Sequence, residues 1–185
     1  MKEVKVKKNN QIKIDFGKVF AFYFLIFIIG SIVGWLYEEI FYFVNERAIT
    51  NRGFLYGPYL PVYGFGAILL VLFLKRFRKN PIIVFLLAII ITGVLEYFTG
   101  LIMWEIWHQK WWDYTGLFLN IDGYVCLRSV LTFGIGSLLL IYLVEPLVIK
   151  MIDKIKKKTL MILCFSILTI FIIDNIITFI FRHPI

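Results

Sequence analysis

Five apolar runs, centred near residues 28, 66, 93, 138 and 168, alternate along the chain with short polar or charged connections. The clearest, Val19 to Tyr37, continues for 19 residues without a charge, close to the ~20 that an α-helix needs to cross a bilayer. Ile82 to Trp104 carries one acid, Glu96, in 23 residues, and Thr159 to Phe181 carries only Asp174. Ser129 to Val144 makes another span. Gly64 to Leu74 is short, and reaches spanning length only if part of the stretch before it contributes. That stretch, "NRGFLYGPYLPVYGFG" (Asn51–Gly66), holds four glycines and two prolines, residues that break helices. The pattern predicts an all-α polytopic transmembrane bundle of about five spans, with an irregular external segment that is re-entrant or interfacial.

Composition agrees. The 185 residues are 61% hydrophobic and 17% charged, with mean hydropathy +0.85, whereas soluble chains average roughly 45–50% apolar and about 25% charged. The net charge of +8 raises nucleic acid as a partner, but its placement speaks for a membrane. Lys2, Lys5, Lys7, Lys8, Lys13 and Lys18, then Lys75, Arg76, Arg78 and Lys79, then Lys150, Lys154, Lys156, Lys157 and Lys158 fall on one side, 15 in all. Arg47, Arg52, Lys110, Arg128 and Arg182, five residues, fall on the other. The positive-inside rule then gives a multi-pass cell-membrane protein with a cytoplasmic N-terminus and an external C-terminus. Basic flanks meet anionic headgroups, so membrane lipids are expected partners and nucleic acid is not. The first apolar run is too long for a signal-peptide core and lacks a small-residue cleavage site, which makes it an uncleaved span. Cys126 and Cys164 fall near opposite membrane faces and are not expected to pair.

The expected organisation is a basic cytoplasmic N-terminus over 1–18, a four-span membrane domain over 19–149, a basic cytoplasmic loop over 150–158 and a fifth span over 159–185. A faint repeat links "GWLYE" (Gly34–Glu38) and "NRGFL" (Asn51–Leu55) to "GVLE" (Gly93–Glu96) and "NIDGYV" (Asn120–Val125). The spacings from glycine to asparagine differ, 17 residues against 27. At 1.5 Å per residue, Glu38 lies ~30 Å along the first span, and Glu96 and Asp174 reach ~22–24 Å along theirs, with Arg128 at the external end of its own. Burying an acid at such depth costs about 2.5–3.5 kcal/mol, so it normally faces a bundle interior or a wet cavity. Helical spacing puts Ser31, Trp35, Glu38 and Tyr42 on one face, beside the Gly30-x-x-x-Gly34 contact motif, and Gly93, Glu96, Gly100, Met103 and Trp107 on another. Two readings stand: acids that cap helix packing by pairing with Arg52 or Arg128, or a polar cavity open to the outside, which is favoured.

"WEIWHQKWWDY" (Trp104–Tyr114) packs four of the five tryptophans into eleven residues, as an interfacial aromatic belt does; a lid that stacks on sugar or lipid is the alternative. Glu105-x-x-His108 has the spacing of half a carboxylate–metal site, but no second copy exists, and neither metal nor cofactor is expected. The chain has no G-x-x-x-x-G-K-[ST] phosphate loop and so no ATPase site of that kind.

In order along the chain, "GWLYE", "NRGFLYGPYLPVYGFG", "LEYFTG", "WWDYTG" and "LNIDGYVCLRS" resemble the type IV ABC-transporter family of small bacterial membrane proteins, the CmpB-like proteins. The likeness covers roughly residues 17–150, with the last apolar run outside it. The resemblance implies a permease and a separate ATPase subunit. Where the family pattern often has a basic residue after the glycine matching Gly123, this chain has Tyr124, and Arg128 is a substitute. The cytoplasmic loops are too short for a conventional coupling helix, so the resemblance supports an outward polar site more than ATP-driven transport. Candidate substrate-binding residues are Glu38, Asn51, Arg52, Tyr56, Glu96, Asp113, Asn120 and Arg128. The first reading is a permease-like or substrate-binding subunit, expected to be a homo-oligomer. The alternatives are an outward-facing enzyme on lipid or cell-envelope substrates, with Glu38, Glu96 or Asp113 as acid/base, and a non-catalytic partner of another membrane protein.

Overall fold

A computed structural model describes residues 15–47, 51–108 and 110–182. Six α-helices follow in order: α1 (Phe16–Glu46), α2 (Pro61–Leu74), α3 (Pro81–Trp107), α4 (Leu127–Leu139), α5 (Glu145–Lys154) and α6 (Lys157–Phe181). A 3₁₀ turn (Lys75–Phe77) follows α2, and a π turn (Leu140–Val144) joins α4 to α5. The first three starts have a local cause. The Asp15 carboxylate accepts from the Gly17 and Lys18 amides, and Asn80 accepts from Ile82 and Ile83, satisfying N–H groups that a helix end leaves bare. Pro61 and Pro81 open α2 and α3, where a missing N–H costs nothing.

Four helical stretches are long and apolar enough to cross a membrane: Phe16–Val44, Pro81–Trp107, Leu127–Lys154 and Lys157–Phe181. The chain still passes five times between a basic end, marked by Lys18, Lys75 and Lys157, and an aromatic end, marked by Trp35, Arg52 and Trp112. The second pass departs from the rest. Its helix has 14 residues, about 21 Å, and it begins halfway down α1, where the Leu60 amide lies 2.9 Å from the Ser31 carbonyl. Residues 51–60 therefore descend from the aromatic end as non-helical backbone. Such backbone is tolerated in a membrane only where its polar groups find partners, and side chains supply them. Asn51 donates to the Leu55 and Tyr56 carbonyls, Arg182, just past the end of α6, donates to those of Phe54 and Leu55, and Asp174 of α6 accepts from the Gly57 amide. The basic loop expected over 150–158 is mostly helix, because α5 continues to Lys154 and only Ile155 and Lys156 separate it from α6.

Two hairpins, α1 with α2 and α3 with α4, make the most extensive helix pairings. They are built alike. A Cβ on Gly64 would meet Phe27 and Ser31 of α1, and one on Gly134 would meet Phe85 and Ile89 of α3. Gly134 is 70 positions after Gly64, and the α3 residues are each 58 after their α1 counterparts. Glu38 and Glu96 are also 58 apart, and Gly53 and Gly123, both with positive φ, are 70 apart. The repeat seen in the sequence thus has a structural counterpart in a corrected register: matching Gly34 to Gly93 or Asn51 to Asn120 misses by one, because the acids and the packing glycines are the anchors.

The apolar core lies in the basic half, where Leu25, Ile26, Val71, Leu74, Val84, Ile141 and Leu160 are buried together. Among the described residues, one charge is buried with them. Glu145 is fully enclosed and paired with Lys75 Nζ at 3.0 Å and with Arg78. The π turn explains why Arg78 comes there. The Glu145 amide bonds to the Leu140 carbonyl, and Pro146 has no N–H to offer, so the Ile141 carbonyl loses both helical partners. Arg78 Nη2 fills it at 2.7 Å.

Candidate functional site

At the aromatic end the helices carry polar side chains inward. On α1, Glu38 Oε1 accepts from the Tyr63 hydroxyl at 2.9 Å and Oε2 from Arg52 Nε at 3.2 Å. Arg52 is fixed from three sides: its amide donates to Glu39 at 2.6 Å, and its guanidinium lies 3.8 Å from the centre of the Tyr42 ring. Gly34 makes room for this arrangement, since a Cβ there would stand 2.2 Å from Tyr63 Cγ. The Gly30-x-x-x-Gly34 motif is thus the seat of α2, with Gly30 against Ala67 and Gly64.

The second hairpin presents its own acid. Glu96 Oε1 accepts from the Tyr114 hydroxyl at 2.8 Å, and Oε2 lies 2.7 Å from Ser129 Oγ. Gly93 and Gly100 on the same face lie against Val130 and Tyr124. Among the described residues no cation pairs with Glu96. The hairpins meet between the acids: the Tyr63 ring lies tilted against Phe133 with centroids 5.8 Å apart. The result is a layer that brings together the Glu38 and Glu96 carboxylates, the Arg52 guanidinium, the Tyr63 and Tyr114 hydroxyls and Ser129.

The expected site residues divide. Glu38, Arg52 and Glu96 enter this layer. Asn51 braces the descending segment, accepting from Trp35 Nε1 at 3.1 Å. Tyr56 is exposed, with the Arg182 guanidinium 5.5 Å from its ring centre. Asp113 and Asn120 build the loop between α3 and α4. Asp113 accepts from the Thr115 amide and hydroxyl and from Lys110, which holds its carboxyl down to about 2, the Thr115 hydroxyl contributing most. Asn120 accepts from the Gly123 amide and donates to the Leu117 carbonyl. Gly123, at φ 75°, has Thr115, Asp113 and Lys110 where a Cβ would go, so glycine is required there. Arg128 stands outside the layer with its guanidinium 5.0 Å from the Phe41 ring centre, while the next residue, Ser129, faces Glu96.

Tyr63, Tyr114 and Ser129 complete the layer and were not singled out from the sequence. Tyr63 and Ser129 are hydroxyls at the ends of apolar runs and Tyr114 lies in a loop, and neither setting has a periodic signature. Asp174, noted only for its depth, ties α6 to the descending segment through Gly57 N–H at 3.0 Å and the Tyr59 hydroxyl at 2.5 Å. In the tryptophan cluster, Trp104, Trp107 and Trp111 are exposed like an interfacial belt. Trp112 instead donates to the Tyr124 carbonyl at 2.8 Å.

No curated protein and no solved structure matches the chain. A family model described as "Putative ABC-transporter type IV" matches residues 25–179. The match continues beyond residue 150 through most of α6, the run that the sequence likeness left outside, and α6 is joined to the first hairpin by Asp174. The match over most of its length places this membrane protein in the ABC-transporter type IV family.

Proposed function

We propose that this chain is a permease-like, substrate-binding membrane subunit whose aromatic end faces outward and receives a solute bearing an amine. The observation that carries the reading is the charge balance of the polar layer. The layer holds one guanidinium, that of Arg52, which pairs with Glu38, and Glu96 has only hydroxyl partners among the described residues. Intramembrane acids without a compensating cation are functional candidates by default. The basic end would then be cytoplasmic by the positive-inside rule. A separate ATPase subunit would meet it there, where α5 exposes Lys150 and Lys154.

Thermal unfolding of the purified full-length protein in detergent tests this against three probe sets: amines, zwitterionic amino acids and organic anions. A bound ligand at about 100 times its Kd adds roughly 2.7 kcal/mol of stability. Amine-bearing probes are expected to raise the melting temperature of the wild type, and Glu96→Gln is expected to abolish the rise. Stabilisation by the anions alone, or an undiminished amine effect in Glu96→Gln, would sink the assignment.

A further inference from the structure

We infer that Arg128 and the apolar groove beside it form a binding site for an anionic phospholipid, apart from the Glu38–Glu96 layer. Arg128 is exposed, and among the described residues it has no carboxylate partner; its guanidinium rests on the face of Phe41. A cation left unpaired at the end of a membrane helix has its donors free for an anion, and the guanidinium fork fits a phosphate in bidentate fashion. The exposed Trp104, Trp107 and Trp111 mark this end as headgroup level.

The surroundings select a lipid over a soluble phosphate. A groove lined by Leu117, Phe118, Leu127, Arg128 and Leu131 is almost wholly apolar apart from the arginine. It continues into the membrane. Leu127, Leu131, Ile135 and Leu139 recur at four-residue intervals along α4, and the last three are exposed, so they form one stripe down a single helix face. A phosphate at Arg128 would place the attached acyl chain on that stripe, while Phe118, 74% exposed, closes the groove from the loop side. An isolated apolar stripe would accept any lipid tail. The unpaired guanidinium above it favours a headgroup of net negative charge over a zwitterionic one, in which a choline cation would sit beside the arginine.

Native mass spectrometry of the full-length protein, given equimolar phosphatidylglycerol and phosphatidylcholine with matched acyl chains, reads the preference directly. The wild type is expected to retain phosphatidylglycerol about fivefold over phosphatidylcholine, the effect of one basic residue at an anionic surface. Arg128→Gln should equalise the two, and Arg128→Lys should keep part of the preference. Lys79→Gln, an exposed charge at the opposite end, should keep all of it. No preference in the wild type overturns the inference without recourse to any variant. So does a loss as large in Lys79→Gln as in Arg128→Gln, which would make the effect one of net charge. Full displacement of the lipid by glycerol phosphate would mean that the site takes a soluble anion, which also defeats it. None of these readouts involves an amine solute, so the outcome is independent of the transport reading.

Discussion

Arg52 shows how much one side chain of the descending segment holds. Its amide bonds Glu39, its Nε bonds Glu38, and its plane stacks on Tyr42. A lysine keeps the charge but neither the fork nor the stack. Because both partners of the ion pair are about a quarter exposed, solvent screens part of the loss. Arg52→Lys should therefore cost about 1 kcal/mol, a fall of a few degrees in melting temperature; an unchanged melting curve would show that the contacts are incidental. Asp113 gives a pH-dependent counterpart. Its carboxyl titrates near 2 in the fold against 3.8 in the free residue. A depressed pKa means that the contribution is present at neutral pH and fades as pH falls from about 3.8 through about 2. Amide protection factors over residues 110–126, which remove the intrinsic pH dependence of exchange, should fall across that window in the wild type, and Asp113→Asn should show low protection at neutral pH with no further acid step. Identical pH profiles for the two proteins would remove Asp113 as the brace of this loop.

At the scale of elements, the bundle is joined by a few directed contacts at either end of an apolar core. The α2–α3 turn is latched to the π turn by Arg78, which reaches both the Glu145 carboxylate and the stranded Ile141 carbonyl, while Tyr142 donates back to the Arg78 carbonyl at 2.7 Å. Removing one partner of a buried ion pair leaves the other charge uncompensated, at about 3–5 kcal/mol. Lys75 remains beside Glu145, so Arg78→Met should fall near the lower limit, about 3 kcal/mol. The double variant Arg78→Met/Glu145→Leu should recover much of that loss, since a buried pair is often replaceable by apolar side chains. Equal destabilisation in single and double variants would contradict the latch. The helices themselves were legible in advance: α1, α3 and α6 follow from long apolar runs that hold at most one acid each. The depth of α2's first residue was not, because an irregular backbone run carries no period from which depth can be counted.

For the whole molecule, the five passes place Thr115 at the end opposite Asn80 and Lys156. With the basic end cytoplasmic, a cysteine at Thr115 should react with an impermeant thiol reagent added outside cells, and cysteines at Asn80 or Lys156 should react only after permeabilisation. External labelling at Asn80 would reverse the orientation; labelling of Asn80 and Thr115 from the same side would break the five-pass path itself. Gln109 and His183, also natural positions for external labels, lie outside the described residues.

The sequence by itself determined that this is a membrane protein of apolar helices, which of its acids lie within them, and which helix faces carry those acids beside small residues. It could do so because hydrophobic length and helical period are local properties, read without knowing any neighbour. The family likeness was equally local, resting on short motifs in order. Only the tertiary structure decided what each polar group meets. Glu38 meets Arg52 and Tyr63, Glu96 meets Tyr114 and Ser129, Asp174 reaches back to Gly57 and Tyr59, and Arg128 turns away from them all. These pairings join positions up to 117 residues apart. They depend on how closely glycine-lined helices approach and on where a non-helical segment descends, and neither quantity is contained in the spacing of residues along one helix.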